Sequence, residues 1–67
     1  MSETITYTVP GIHCGHCAQS IKEEVSEVGG VEAVDVDVES KVVTIRGDQL
    51  ADGALRAAIA EAGYEAA

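Results

Sequence analysis

Val31-Glu32-Ala33-Val34-Asp35-Val36-Asp37-Val38-Glu39 reads as a β-strand, and the residues after it turn the chain back into a second one. Val34, Val36 and Val38 fall on one face, with Asp35, Asp37 and Glu39 on the other. That period of two marks a strand with one buried side. Ser40-Lys41 fits a short hairpin turn, and Val43 and Ile45 carry the partner strand to about Arg46.

Outward from this hairpin the pattern repeats. Glu3 to Val9 alternates in the same way, with Ile5, Tyr7 and Val9 on one face and Thr4, Thr6 and Thr8 on the other. Pro10-Gly11 ends that strand, and a loop holding both cysteines follows. From about His16 to Val28, the residues Ala18, Ile21, Val25 and Val28 recur at helical spacing, and Lys22, Glu23, Glu24 and Glu27 cover the rest of the helix. Gly29-Gly30 supplies the stop, one of the two as a left-handed cap. After the hairpin, Gly47-Asp48 opens a connection and Asp52 is placed to cap a second helix. Its buried stripe is Leu55, Ala58, Ile59 and Ala62, and Gly63 closes it. Tyr64-Glu65-Ala66-Ala67 leaves room for only a stub of a last strand.

The expected order is β-α-β-β-α-β in one domain spanning residues 1–67. One-sided strands put both helices on the same face of a four-stranded antiparallel sheet. This is an α+β fold of the ferredoxin-like βαββαβ kind.

Composition narrows the function. A chain of 67 residues buries only ~60% of its unfolded surface, which leaves little for a deep catalytic cleft. The net charge is −8, from 12 acidic and four basic residues. Lys22, Lys41, Arg46 and Arg56 are scattered, so no basic patch exists to meet phosphates, and nucleic acid is disfavoured as a partner. Anionic membrane surfaces repel such a chain, and no apolar run approaches the ~20 residues of a membrane span. Its charge steers it toward basic protein surfaces. Met1-Ser2-Glu3-Thr4 has neither a basic n-region nor an apolar h-region, so with Met1 as the natural start the expected compartment is the cytoplasm. Reducing conditions there keep two cysteines as thiols, for metal binding or redox work.

Those cysteines lie in Gly11-Ile12-His13-Cys14-Gly15-His16-Cys17, at the junction of a loop and a helix start. Two sulfurs three residues apart converge on one ion, and thiolates select soft metals such as Cu(I), Zn(II) or mercury. Cu(I) is content with two sulfurs, whereas Zn(II) usually takes four donors. Two ligands therefore favour Cu(I). The helix N-terminus stabilises the net −1 charge of two thiolates around Cu(I), and it is expected to lower the thiol pKa, most of all at Cys17. An exposed site with few ligands exchanges metal readily, which suits a carrier. The rival is redox chemistry, because Cys14-Gly15-His16-Cys17 matches the active-site tetrapeptide of protein disulfide isomerases. Those domains are longer and usually place a Trp before the motif; this chain has no Trp.

Three segments together, Val9-x-Gly11-Ile12-x-Cys14-x-x-Cys17, Val31-x-x-Val34-x-Val36 and Ala58-Ile59-x-x-Ala62-Gly63-Tyr64, resemble the heavy-metal-associated domain family. Within it the chain is most similar to bacterial copper chaperones, from about Thr4 to Tyr64. The resemblance implies a non-enzymatic carrier with Cu(I) held by Cys14 and Cys17. It also implies delivery to the metal-binding domain of a copper-transporting P-type ATPase by thiol exchange. A copper-sensing repressor is a second possible recipient. Mercury, zinc or cadmium as cargo, a dithiol–disulfide oxidoreductase, and a domain cut from a longer ATPase stay open as alternatives.

The family usually has Met where Ile12 stands, an apolar anchor under the loop rather than a ligand. In the resembling chaperones an aromatic at the Tyr64 position shields the metal loop; the plainer reading of Tyr64 is a core tyrosine after a helix cap. His16 is a third ligand, a contributor to a metal-bridged dimer, or a surface residue, and its place in the motif points it away from the sulfurs. His13 is expected to be a solvent-facing spacer, and Lys22 a solvated helix lysine. With its exposed metal loop the chain is expected to be a monomer when metal-free and a homodimer when metal bridges two copies.

Overall fold

The computed structural model describes residues 2–67. Three strands and two helices follow one another as β1 (Glu3–Thr8), α1 (Gly15–Ser26), β2 (Val31–Asp37), β3 (Val42–Gly47) and α2 (Asp52–Glu61). The sheet is antiparallel with spatial order β1-β3-β2. Register explains which side is buried. Ile5 pairs with Ile45, which pairs with Val34; Tyr7 pairs with Val43, which pairs with Val36. Two apolar rows therefore cross one face of the sheet. The alternate rows, Thr4-Arg46-Ala33 and Thr6-Thr44-Asp35, take the opposite face and stay largely in solvent.

Both helices cover the apolar face. Ile21 and Val25 of α1 and Leu55, Ala58 and Ile59 of α2 share one buried cluster with Tyr7, Val9, Ile12, Val43 and Ile45. The central strand β3 loses its inward side chains to the core completely, whereas the β2 valines are only half-buried. The sequence pattern makes Val34 and Val43 look alike; position at the edge or the centre of the sheet separates them.

The hairpin ends earlier than the alternation does. β2 stops at Asp37, because its carboxylate accepts the N–H groups of Glu39 at 3.0 Å and Ser40 at 3.3 Å and folds them into a turn. Val38 sits in that turn, half-buried against the core. Lys41 closes it at φ 61°, in the left-handed region. α1 likewise ends at Ser26, so Val28 lies beyond the helix, and the left-handed Gly30 (φ 92°) shapes the approach to β2 rather than the helix cap.

Two expectations are corrected at the C-terminal end. Asp52 does not cap α2. The N-cap is Ala51, and the Asp52 carboxylate instead accepts the Tyr7 hydroxyl at 2.5 Å and pairs with Arg56 at 3.1 Å. The expected fourth strand does not form among the described residues. Tyr64 gives its N–H to the end of α2, at the Ile59 carbonyl, so only 65–67 remain to run beside β1. That short stretch makes one backbone bond there, from Ala67 N–H to the Thr8 carbonyl at 2.7 Å. No helix among the described residues is long and apolar enough to cross a membrane.

Candidate metal centre

Cys14 is the N-cap of α1 and Cys17 lies in its first turn. Cys14 has an extended backbone (φ −156°, ψ 177°), and its carbonyl accepts the Ala18 N–H at 3.2 Å. Its side chain makes no capping bond, and the first turn contains no acidic residue. The electropositive start of the helix is thus left to the two sulfurs. These lie 3.8 Å apart and are not joined as a disulfide. Two metal–sulfur bonds of ~2.3 Å span any separation up to ~4.6 Å, so one soft ion can contact both without moving the backbone. Cys14 is exposed; Cys17 is half-buried against the core.

The Cys17 thiol is pulled down to about 7. Its largest cause is the hydroxyl of Tyr64, followed by the backbone N–H of His13, with the Cys14 N–H and side chain adding to them; partial burial works in the other direction. The expected direction is met, but the leading donor is a side chain from the other end of the chain. The Tyr64 hydroxyl is raised in turn, chiefly through its bond to the Cys17 sulfur.

Tyr64 reaches the site because of how α2 ends. Gly63 adopts φ 92° and gives its N–H to the Ala60 carbonyl at 2.9 Å, while Tyr64 gives its own to Ile59 at 3.1 Å. This pair of bonds is a Schellman cap, which needs a residue at ease in the left-handed region. The chain leaving it lays the Tyr64 ring on Gly11, so closely that a Cβ at Gly11 would stand 3.2 Å from the ring. Gly11 is therefore the floor on which the aromatic rests. Ile12 next to it is fully buried and anchors the loop from below.

His13 and His16 are both exposed. Among the described residues, no third His, Cys, Asp or Glu joins the two cysteines in a cluster able to hold a metal. Lys22 lines a shallow groove between α1 and β2, together with Gln19 and Glu23. One contact escaped the reading of the sequence. Lys41 Nζ donates to the Ile12 carbonyl at 2.9 Å, directly beneath the cysteine loop. The register of β1 against β3 carries the signal for it, since extending the Thr8–Val42 pair by one residue brings Lys41 beside Val9.

Comparison with known proteins agrees with this geometry. The heavy-metal-associated domain model matches residues 6–65. The mercuric transport protein periplasmic component of Pseudomonas aeruginosa is 40% identical over 65 residues, covering 94% of this chain and 71% of that protein. The COP-associated protein of Helicobacter pylori (strain ATCC 700392 / 26695) is 39% identical over 61 residues, covering 90% and 92%. The structure of copper chaperone Atx1 from Synechocystis PCC6803 superposes with a TM-score of 0.81 at 42% identity, over 94% of this chain and 98% of the other. A shared fold, matched along nearly the whole chain at these identities, leaves one conclusion: this chain belongs to the heavy-metal-associated domain family.

Proposed function

We propose that the protein is a cytoplasmic carrier of Cu(I), binding one ion between Cys14 and Cys17 and passing it on by thiol exchange. The observation that carries this reading is the pair of free sulfurs 3.8 Å apart, with no third donor in a cluster beside them among the described residues. Two soft ligands satisfy Cu(I) and leave Zn(II) short of its usual four. The identity to a copper chaperone supports the same cargo.

Exchange follows from the difference between the two cysteines. Cys14 is open to solvent, so an incoming thiolate reaches the metal from its side and replaces it first. Cys17, held low by Tyr64 and the loop, leaves last, and its lowered pKa makes it a better leaving thiolate than an ordinary cysteine. The metal stays Cu(I) throughout; two bonds to this chain break as two form to the recipient. The recipient we infer is the metal-binding domain of a copper-transporting P-type ATPase, with a copper-sensing repressor as a second. A net charge of −8 favours a basic docking face on either.

Mercury is the second reading, motivated by the 40% identity to a mercuric transport protein. Titration of the reduced protein with Cu(I) against a competing chelator tests the first. One tight site per chain is expected, absent from the Cys14→Ser/Cys17→Ser variant. A double variant that binds as well as the parent would refute the site.

A further inference from the structure

Three hydrogen bonds close a ring beneath the cysteine loop. Val9 N–H donates to the Lys41 carbonyl at 2.7 Å, Ile12 N–H donates to the Val9 carbonyl at 3.2 Å, and Lys41 Nζ donates to the Ile12 carbonyl at 2.9 Å. The first two are backbone bonds that any residue types would make. The third requires a long cationic side chain at one position. Lys41 occupies it half-buried, at φ 61°, in the left-handed region that disfavours a residue with a Cβ. A glycine would sit there without that cost, but it has no ammonium to give.

The far end of the gripped peptide faces the metal centre. The Ile12 carbonyl and the His13 N–H belong to one planar trans peptide, on which they point in opposite directions. The His13 N–H is among the groups that hold the Cys17 thiol low. One peptide plane therefore has an ammonium on its oxygen, and its hydrogen belongs to the loop that leads into Cys14 and acts on the Cys17 thiol. Rotation of that plane would disturb both at once. A cation on the carbonyl also polarises the amide and makes its N–H the stronger donor.

We propose that Lys41 is a positioning residue of the metal centre: by holding the Ile12 carbonyl it aims the His13 N–H at the Cys17 sulfur and so stabilises the anionic two-thiolate complex. The inference rests on reading Cys14 and Cys17 as ligands of a soft ion. It assigns a function to a turn that lies outside the cysteine motif. Lys41→Met keeps the stem and the backbone carbonyl but has no donor, and Lys41→Arg restores a charged one.

Two measurements decide it. In NMR spectra of the reduced, metal-free protein, Lys41→Met is expected to shift the His13 amide proton upfield and speed its exchange, while the Val9 amide stays as in the parent. In Cu(I) competition against a chelator, Lys41→Met is expected to bind roughly tenfold more weakly, the scale typical of groups that hold a metal's ligands in place. Lys41→Arg is expected to return both readings to near the parent's. An unchanged His13 amide and unchanged affinity in Lys41→Met would overturn the proposal, as would a loss that Lys41→Arg fails to relieve. Should the parent itself bind no Cu(I), the reading of the cysteine pair fails, and the amide comparison still decides what Lys41 holds.

Discussion

Tyr64 lies over Gly11 and places its hydroxyl on the Cys17 sulfur, which joins the end of the chain to the loop that begins α1. The bond acts on both partners in opposite senses, lowering the thiol and raising the phenol. Removing it has a definite sign. Tyr64→Phe is expected to move Cys17 from about 7 back toward the ordinary thiol value of 9.0. The rate of alkylation against pH, measured in a Cys14→Ser background, reads the midpoint directly. An unmoved midpoint in Tyr64→Phe would show that the loop amides alone hold the thiolate.

The same depressed thiol links stability to pH. Because the folded value lies below the unfolded one, the stabilisation is fully present above about 9 and is lost as pH falls through about 7. Urea midpoints of the metal-free parent are expected to rise across that window relative to those of Cys17→Ser. Parallel midpoint curves for the two proteins would contradict the shift.

A second polar connection joins β1 to α2. Tyr7 gives its hydroxyl to Asp52 and carries the Arg56 guanidinium 5.1 Å above its ring, tying β1 to the first turn of α2. Tyr7 is pushed up to about 12, first by burial and then by its bond to Asp52; Asp52 is lowered, first by Tyr7 and then by Arg56. A depressed carboxylate stabilises the fold above its unfolded value of 3.8 and loses that effect as pH falls below it. Tyr7→Phe is therefore expected to flatten the acid limb of the unfolding midpoint while leaving Cu(I) affinity unchanged.

Two glycines separate shape from strain. A Cβ on Gly47 would lie 2.0 Å from the Gly30 carbonyl oxygen, a backbone atom that is itself fixed by the Asp48 N–H at 2.8 Å. Gly47→Ala is expected to destabilise the domain by about 2–4 kcal/mol, the range of overpacking combined with a disturbed strand. Gly63 has open space around it but sits at φ 92°, so Gly63→Ala is expected to cost only ~1–2 kcal/mol. That second change also disturbs the cap that delivers Tyr64, so the Cys17 midpoint is expected to rise with it. Chemical denaturation and thiol titration of the two variants together test this division.

The exposed Cys14 also sets the expectation for assembly. A second copy can approach the metal from that side, so Cu(I) is expected to convert monomer to homodimer as the metal-to-protein ratio rises. Sedimentation that shows a monomer at every ratio would remove the dimer from the account.

Most of the fold was readable in the sequence because it depends on local periods. Ile5, Tyr7 and Val9, and then Val43 and Ile45, mark their strands by alternation alone, and Ile21 and Val25 mark α1 by helical spacing. Losses came where a side-chain hydrogen bond, near or far along the chain, outbid the pattern. Asp52 has the residue type of an N-cap, yet Tyr7 is near enough in space to claim its carboxylate. Val38 continues the alternation, yet the Asp37 carboxylate ends the strand before it. The site divides in the same way. Cys14 and Cys17 announce themselves by type and spacing, while Lys41 joins them only through the register of β1 against β3. Tyr64 lies between these cases, since the family resemblance flagged it but only the Schellman turn at Gly63 shows how it arrives.

We propose above that this chain carries copper between Cys14 and Cys17. The most direct test is native mass spectrometry of the protein isolated from cells without oxygen and under reducing conditions. The expected result is a mass increment of one copper in the monomer, or of copper bridging the two chains of a dimer, and no increment for Cys14→Ser/Cys17→Ser. Zinc or mercury in place of copper, or copper retained by the double variant, would contradict it.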